Sequence, residues 1–286
     1  MTARPSPFSS HSASPHDVQP AFISRFEAET PVIGVVHLSP LPGAPASDGD
    51  RRAIRDRAIA DATALEDGDV DGVIVENFGD APFYPDEVPP HVVSDMTALT
   101  DAVADSVDVP VGVNVLRNDP TAALSVAAAT DADFVRVNVH VGAAVTDQGV
   151  IEGQAHETLR LRERIGADAA ICADVGVKHA TPLGDRDLAV EASDAVERGL
   201  ADAVIVSGDR TGDRTALEDV RQVQDSVGDE VPVLVGSGVT AASAASVLDA
   251  ADGAIVGTAL KEDGLTTNPV GEERVRELID AAKNGR

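Results

Sequence analysis

The chain has 286 residues, enough for one large domain with a sizeable core, and carries a formal net charge of −27 from 49 acidic and 22 basic residues. So acidic a surface repels nucleic acid and anionic membranes, which excludes both as expected partners, and it is typical of a halophile's cytosolic protein. The single Cys172 excludes a disulfide framework, and no apolar run approaches the roughly 20 residues that a membrane span needs.

The amino-terminal segment differs in composition from the rest of the chain. Residues 1–20 are rich in Ser, Pro and His and contain no apolar stretch, so they are not typical of a signal peptide. We expect residues 1–30 to form a disordered or loosely attached extension and residues 31–284 to form a single domain. We also expect the protein to be cytoplasmic.

From Pro31 onward, short runs rich in Val and Ile alternate with stretches of helical spacing. The predicted strands are Val32–His37, Gly72–Glu76, Val111–Leu116, Phe134–Val139, Ala169–Asp174, Ala203–Ser207, Val233–Val235 and Gly253–Val256. The predicted helices are Arg51–Leu65, Ser94–Ser106, Pro120–Ala129, Ala155–Arg164, Arg186–Arg198, Thr215–Val227, Thr240–Leu248 and Pro269–Ala282. Strands separated by helices run parallel, and eight such units in about 250 residues favour a closed (β/α)8 TIM barrel over a doubly wound open sheet.

The predicted connections are unequal in length. Links from helix to strand are short, whereas links from strand to helix are mostly long, as in Leu38–Asp50 and His140–Gln154. The long loops therefore gather at the carboxyl ends of the strands, which is where TIM barrels carry their functional groups.

Three consecutive strand ends late in the chain carry glycine and small hydroxyl residues. They are Ser207-Gly208, Gly236-Ser237-Gly238 and Gly257-Thr258. The turns after strands seven and eight of a barrel commonly bind phosphate, because backbone N–H groups and helix N-termini point there. We predict that these seven residues bind a phosphate group, the alternative being that glycine only eases tight turns.

The same stretch also resembles a dinucleotide-binding fingerprint. Gly236-x-Gly238-x-x-Ala241 follows a predicted strand and precedes a predicted helix. A dinucleotide-binding fold carries this motif at its first strand, whereas six βα units precede it here, and no acidic residue ends the next strand to bind a ribose hydroxyl. NAD is therefore not favoured, and we predict no cofactor.

Titratable side chains end the first two predicted strands. His37 ends the first strand and could transfer a proton near neutral pH, or it could simply order the loop that follows. Glu76 ends the second strand and could act as a general base, or it could form a structural ion pair with Arg136 or Arg117. We count His37 and Glu76 among the candidate catalytic residues.

Polar residues also end the middle strands. Asp174 and Lys178 flank the turn after the fifth strand, where they could divide acid and base roles or form a loop salt bridge, and we count both as catalytic candidates. Asn114, Arg136 and Asn138 are candidate substrate-binding residues, since the planar fork of an arginine suits a carboxylate or phosphate.

The histidines do not form a recognised metal-binding pattern. His37-Leu38-Ser39 lacks the His-x-His with which barrels that bind two metals open, so we predict no zinc site. Asp174 could bind Mg²⁺, but nothing else in the sequence supports it. Cys172 is more consistent with a small packing residue than with a nucleophile.

Six segments together resemble the BtpA/SgcQ family. They are Val32–Pro45, Gly72–Phe83, Gly112–Pro120, Phe134–Ala143, Thr146–Glu157 and Val206–Gly212, and the resemblance covers about residues 31–284. It implies a barrel of the ribulose-phosphate-binding type but no particular reaction, since the family takes its name from a role in photosystem I biogenesis. Some members are labelled as phosphoribosylanthranilate isomerase-like, yet such an isomerase has a cysteine base at the end of its first strand, where this chain has His37.

These observations combine into one functional hypothesis. We expect the barrel to bind a small phosphorylated metabolite, such as a sugar or ribose phosphate, and to act as an isomerase or lyase by proton transfer. The alternative is a non-catalytic assembly or regulatory scaffold that retains the barrel. We also consider that the chain could form a homo-oligomer.

Overall fold

The computed structural model describes residues 21–177, 180–184, 187–208, 215–229 and 231–284. Its strands are β1 Val32–His37, β2 Gly72–Glu76, β3 Val111–Asn114, β4 Phe134–Val137, β5 Ala143–Thr146, β6 Gly149–Glu152, β7 Ala170–Val175, β8 Ala180–Pro182, β9 Ala203–Val206, β10 Val233–Val235 and β11 Gly253–Val256. Its α-helices are α1 Arg51–Asp67, α2 Pro90–Ala104, α3 Pro120–Thr130, α4 Ala155–Ile165, α5 Leu188–Ser193, α6 Leu217–Val227, α7 Ala241–Leu248 and α8 Glu272–Asn284.

Within these ranges eight parallel strands close into a barrel in the order β1-β11-β10-β9-β7-β4-β3-β2. The barrel closes because β1 pairs with β2 on one side and with β11 on the other. Its strands are buried along their length, as in β7 and β9, which explains why they read as continuous apolar runs instead of alternating ones. The predicted (β/α)8 barrel is confirmed.

Side chains at the helix starts fix several of the strand-to-helix turns. Asp50 accepts hydrogen bonds from the backbone N–H groups of Arg52 and Ala53, and Asp119 caps α3 in the same way. Helix α2 begins at Pro90, four residues before the predicted start at Ser94, because proline is pre-organised for the first helical turn.

Two of the long loops contain a small sheet that the sequence analysis did not predict. Strands β5 and β6 form an antiparallel hairpin after β4, and β8 pairs with β5 from the loop after β7. Ala144 and Ile151 of the hairpin bury their side chains against Val139. The sheet therefore covers one side of the barrel's carboxyl end.

The amino-terminal end of the barrel is closed by the segment that precedes β1. Phe22 and Phe26 are buried, and their rings pack against Phe134, with centroids 5.6 and 6.2 Å away. Within residues 21–30, Phe22, Ile23 and Phe26 belong to the apolar core at this end, whereas the prediction assigned all of residues 1–30 to a disordered or loosely attached extension. The other residues assigned to that extension, 1–20, lie outside the described ranges.

Among the helices described, none combines the length and the apolar character that crossing a lipid bilayer requires.

Candidate functional site

A cavity of about 510 Å³ opens at the carboxyl end of the barrel. This volume lies within the range that small-molecule sites occupy. Its walls come from the ends of four strands, the two turns after β10 and β11, and helix α8. The lining residues are Val35, His37, Glu76, Arg136, Gly236–Ala242, Val256–Ala259, Gly264, Arg274, Glu277 and Leu278.

Two helix N-termini border this cavity. In α7 the side chain of Thr240 accepts a hydrogen bond from the backbone N–H of Ser243, so the N–H groups of Ala241 and Ala242 remain in the first turn without an intrahelical acceptor. The second N-terminus is the 3-10 helix Thr258–Leu260, whose first residues also line the cavity. Backbone N–H groups at the start of α7 and in the turn after β11 therefore border one cavity, and α7 adds the partial positive charge of its N-terminus, which suits an anion.

Five of the seven predicted phosphate-binding residues line the cavity. They are Gly236, Ser237, Gly238, Gly257 and Thr258. Gly238 has a φ of +71°, a conformation that favours glycine and lets the turn bend into the helix. The backbone N–H of Gly236 is already used, since it donates to the carbonyl oxygen of Val206 at 2.8 Å. Gly236 therefore supplies space for a ligand and not a hydrogen bond.

Ser207 and Gly208, the other two predicted residues, are not among the lining residues. The backbone N–H of Gly208 donates to the side-chain oxygen of Ser237 at 2.8 Å, so this group supports the turn after β10. The Ser207 hydroxyl is buried and has no hydrogen-bond partner in the part of the chain described. A Cβ atom on Gly236 would lie 2.6 Å from this hydroxyl, so Ser207 lies behind the cavity wall at Gly236.

His37 and Glu76 meet across the β1–β2 ladder, where they are register partners. The distance from His37 Nε2 to Glu76 Oε1 is 3.8 Å, and their side chains are only 8% and 9% exposed. The imidazole packs edge-on against Phe78, with ring centroids 4.8 Å apart. A Cβ atom on Gly257 would lie 2.7 Å from His37 Cε1, so this glycine leaves room for the ring.

Arg136 is held by a buried carboxylate. Its Nε and Nη2 atoms donate to Asp174 Oδ1 at 3.1 and 2.9 Å, and Asn138 Nδ2 donates to Asp174 Oδ2 at 2.6 Å. Asn114 in turn donates to the carbonyl oxygen of Arg136 at 3.1 Å. Burial opposes the charge of Arg136, but the carboxylates of Asp174 and Glu76 outweigh this effect and raise its pKa.

This network contains three of the predicted residues besides Arg136. The Asp174 carboxylate accepts hydrogen bonds from three donor atoms and is not among the cavity-lining residues, so its observed contacts hold Arg136 in place. Asn114 and Asn138 belong to the same network and act on the cavity through Arg136. Lys178, the remaining catalytic candidate, lies outside the described residues.

Arg117 is a second buried arginine near these carboxylates. Burial lowers its pKa, and the charges of Asp174 and Glu76 oppose that effect. The end of the cavity at Glu76 therefore lies in a region where the positive charges of two guanidinium groups offset the negative charges of two carboxylates.

The structure also describes the groups considered for metal binding or nucleophilic chemistry. His140 Nε2 lies 2.8 Å from the carbonyl oxygen of Gly199, and burial lowers the pKa of this imidazole. Cys172 is fully buried, which raises the pKa of its thiol well above its ordinary value. Across the ranges described, no three His, Cys, Asp or Glu side chains come together in a group that could hold a metal ion.

The sequence analysis did not identify the contribution of α8. Arg274 and Glu277 lie one turn apart on this helix and both line the cavity. Their positions follow an ordinary amphipathic pattern, so only the packing of α8 beside the turn after β11 shows that they reach the site. Ala241 and Ala242 were also missed as individual donors, although their glycine-containing turn was predicted.

Comparison with known proteins places this geometry in a family. The model of the BtpA family matches residues 28–284. The photosystem I biogenesis protein BtpA of a Synechocystis species is 46% identical over 260 residues, covering 91% of this chain and 90% of that protein. A protein of Thermococcus kodakarensis is 47% identical, with 88% and 95% covered, and the putative sgc region protein SgcQ of Escherichia coli is 34% identical, with 88% and 94% covered.

Solved structures resemble the chain in fold. Thiamine phosphate pyrophosphorylase from Pyrococcus furiosus superposes with a TM-score of 0.56 at 18% identity, covering 90% of this chain and 96% of that one. N-(5'-phosphoribosyl)anthranilate isomerase from the same organism gives a TM-score of 0.53 at 13% identity, covering 89% and 99%. At these identities the likeness shows the shared barrel fold alone.

Proposed function

This chain belongs to the BtpA family, and on that premise we propose that its barrel binds a small phosphorylated ligand, such as a sugar or ribose phosphate. We further propose that it catalyses proton transfer on that ligand, as an isomerase or lyase. The observation that carries the proposal is the meeting of two different kinds of group in one cavity. Helix N-termini suited to an anion form one wall, and a histidine, a glutamate and an arginine form another.

The phosphate group would lie against the N–H groups of Ala241, Ala242 and Thr258. This position lies between the first turn of α7 and the start of the 3-10 helix after β11. A dianion there replaces water as the acceptor for N–H groups that the helices leave unused, and it gains from the dipole of α7. The binding energy of the phosphate would hold the rest of the ligand toward β1, β2 and β4.

The reacting carbon would then lie beside Glu76, with the neighbouring carbonyl oxygen directed toward His37. Glu76 would remove a proton from a carbon next to a carbonyl group, and His37 would donate a proton to the carbonyl oxygen, so that an enediol forms without net loss of protons. Reversal of the two transfers at the neighbouring carbon would give the isomer. Arg136, held by Asp174 and Asn138, would stabilise the negative charge that develops on the oxygen.

The phosphate site can be tested with one substitution that stabilises helix α7 but repels a bound phosphate. In Ala241→Asp, a carboxylate enters the first helical position of α7, where it interacts favourably with the helix dipole and repels phosphate. Ala155→Asp places the same change at the first position of α4, outside the cavity, and is the matched control.

The measurement is thermal unfolding of each protein with a panel of phosphorylated metabolites in concentrated KCl. A ligand at 100 times its dissociation constant adds about 2.7 kcal/mol to the free energy of unfolding. We expect at least one sugar phosphate to stabilise the parent and Ala155→Asp but not Ala241→Asp. If no phosphorylated compound stabilises the parent, the alternative of a non-catalytic scaffold is favoured instead.

A further inference from the structure

Arg274 lines the cavity, and its guanidinium forms no ion pair with the residues that the structure describes. Its Nε donates to the carbonyl oxygen of Ala259 at 3.0 Å, and a Cβ atom on Gly264 would lie 3.9 Å from its Nη2. Ala259 and Gly264 both line the cavity, so the guanidinium is fixed at the cavity rim by its Nε. Its two Nη groups remain to bind a ligand.

Three other cationic groups of the barrel, unlike Arg274, each pair with a carboxylate. Arg136 is bonded to Asp174, and the buried Lys261 lies 3.2 Å from Asp61. Arg276, two residues along α8, pairs with Glu272. Arg274 has no carboxylate within 4.0 Å among the residues that the structure describes, which distinguishes it from these three. A cation that is anchored by a carbonyl oxygen and forms no ion pair within 4.0 Å is suited to an anionic ligand.

We propose that Arg274 clamps the phosphate of the ligand and that the ligand therefore ends in a phosphate monoester. This inference rests on the proposed function. Three separate elements bring donors to one region: the first turn of α7, the 3-10 helix after β11, and Arg274 of α8. A monoester presents three terminal oxygens to such a set, whereas a diester presents only two and carries one charge less.

Glu277 limits the charge that this end of the cavity accepts. It lies three residues after Arg274 on α8, on the same face, and it also lines the cavity. Its carboxylate repels the negatively charged phosphate oxygens, and each additional negative charge on the ligand adds to this repulsion. A single phosphoryl group thus fits beside Arg274 better than a diphosphate does.

The test compares two arginines of the same helix. Arg274→Gln removes the proposed clamp, and Arg276→Gln is the matched control, because Arg276 bonds to the carbonyl oxygen of Asp67 at 3.2 Å and does not line the cavity. The probes are ribose 5-phosphate, its methyl phosphodiester and inorganic phosphate, titrated calorimetrically at one fixed KCl concentration. Thermal unfolding of both variants without ligand shows that each is folded.

We expect the dissociation constant of ribose 5-phosphate or of inorganic phosphate to rise at least about tenfold in Arg274→Gln and to stay within about twofold of the parent value in Arg276→Gln. The parent should bind the methyl diester at least about tenfold more weakly than the monoester, and Arg274→Gln should reduce that preference. Equal binding by Arg274→Gln and the parent, or equal binding of monoester and diester, would overturn the clamp while leaving the phosphate site intact. Failure of the parent to bind either monoester or inorganic phosphate would instead contradict the proposed function itself.

Discussion

At its amino-terminal end the barrel is closed by apolar side chains, led by Phe22 and Phe134, whereas its carboxyl end opens into a cavity lined by charged and backbone groups. Both ends belong to the same eight strands. The side chains packed inside the closed end are apolar, so they contribute to stability through burial. The open end leaves donors without protein acceptors, which lowers its contribution to stability and makes binding feasible.

The open end itself contains two kinds of polar group. Asp174, Arg136 and Asn138 satisfy one another by hydrogen bonds and are buried. The residues that begin α7 and the 3-10 helix after β11 line the cavity instead, and their first N–H groups have no intrahelical acceptor. A polar residue at a strand end is therefore not evidence of catalysis by itself, because some of these residues only position others.

The largest effect should follow substitution of the proposed base. Glu76→Gln keeps the size of the side chain but removes its proton acceptor, so the rate of solvent deuterium exchange into a bound sugar phosphate should fall about 10²- to 10⁴-fold. Nuclear magnetic resonance of the ligand measures this rate. Glu163→Gln, on the exposed face of α4, is the control and should exchange at the parent rate. Undiminished exchange in Glu76→Gln would remove Glu76 from the mechanism.

The next effect concerns the buried ion pair of the open end. Asp174→Ala leaves Arg136 buried without its carboxylate, which should lower the free energy of unfolding by about 3 to 5 kcal/mol. Urea denaturation at fixed KCl measures the change. Asp56→Ala breaks the exposed pair with Arg52 and should cost less than about 1 kcal/mol. Similar values for the two variants would show that the buried network is not structural.

At the closed end, Phe22→Ala should lower the free energy of unfolding by about 3 kcal/mol through loss of buried area and creation of a cavity. Phe22→Leu should cost less, because more of the packing is retained. Neither change should alter the affinity for a sugar phosphate by more than about twofold, since the two ends are separated by the barrel. A large loss of affinity in Phe22→Ala would contradict the separation of the two ends.

The last effect is a pH dependence at Lys261. Burial lowers the pKa of this lysine from 10.5 to about 8, and the Asp61 carboxylate opposes that effect. Between these two pH values the unfolded chain holds a proton that the folded chain has released, so the free energy of unfolding rises with pH across the window. This contribution has a limiting slope of roughly 1.4 kcal/mol per pH unit.

Lys261→Met should lack that rise between pH 8 and 10. Lys283→Met is the matched control, because Lys283 is mostly exposed and its hydrogen bond with Asp69 raises its pKa, so the rise should persist. Chemical denaturation at several pH values compares the slopes. Parallel curves for the parent and Lys261→Met would show that Lys261 does not titrate in this range.

The barrel could be predicted from the sequence because its signals are local. Runs such as Gly72–Glu76 and Gly253–Val256 end where the strands end, since buried parallel strands need continuous apolar residues. The position of His37 and Glu76 at neighbouring strand ends follows from the same pattern. The position of the glycine turn before α7 also follows from this pattern.

The remaining features depend on tertiary contacts that leave no local signal. Phe22 lies in a short stretch without helical or strand periodicity, so its packing under the barrel could not be read from the pattern. The use of the Gly208 N–H by Ser237 joins two different turns, and the approach of Arg274 to the cavity depends on how α8 packs. Likewise, the sequence placed Asp174 at a strand end but could not show that Arg136 and Asn138 occupy its carboxylate.

A crystal structure of the protein with ribose 5-phosphate tests the central claim most directly. We predict that the phosphate oxygens lie about 2.7 to 3.2 Å from the N–H groups of Ala241 and Ala242, with the sugar directed toward His37 and Glu76. A phosphate bound outside this cavity, or the N–H groups of Ala241 and Ala242 bonded to the protein's own carbonyl or side-chain oxygens, would contradict the account.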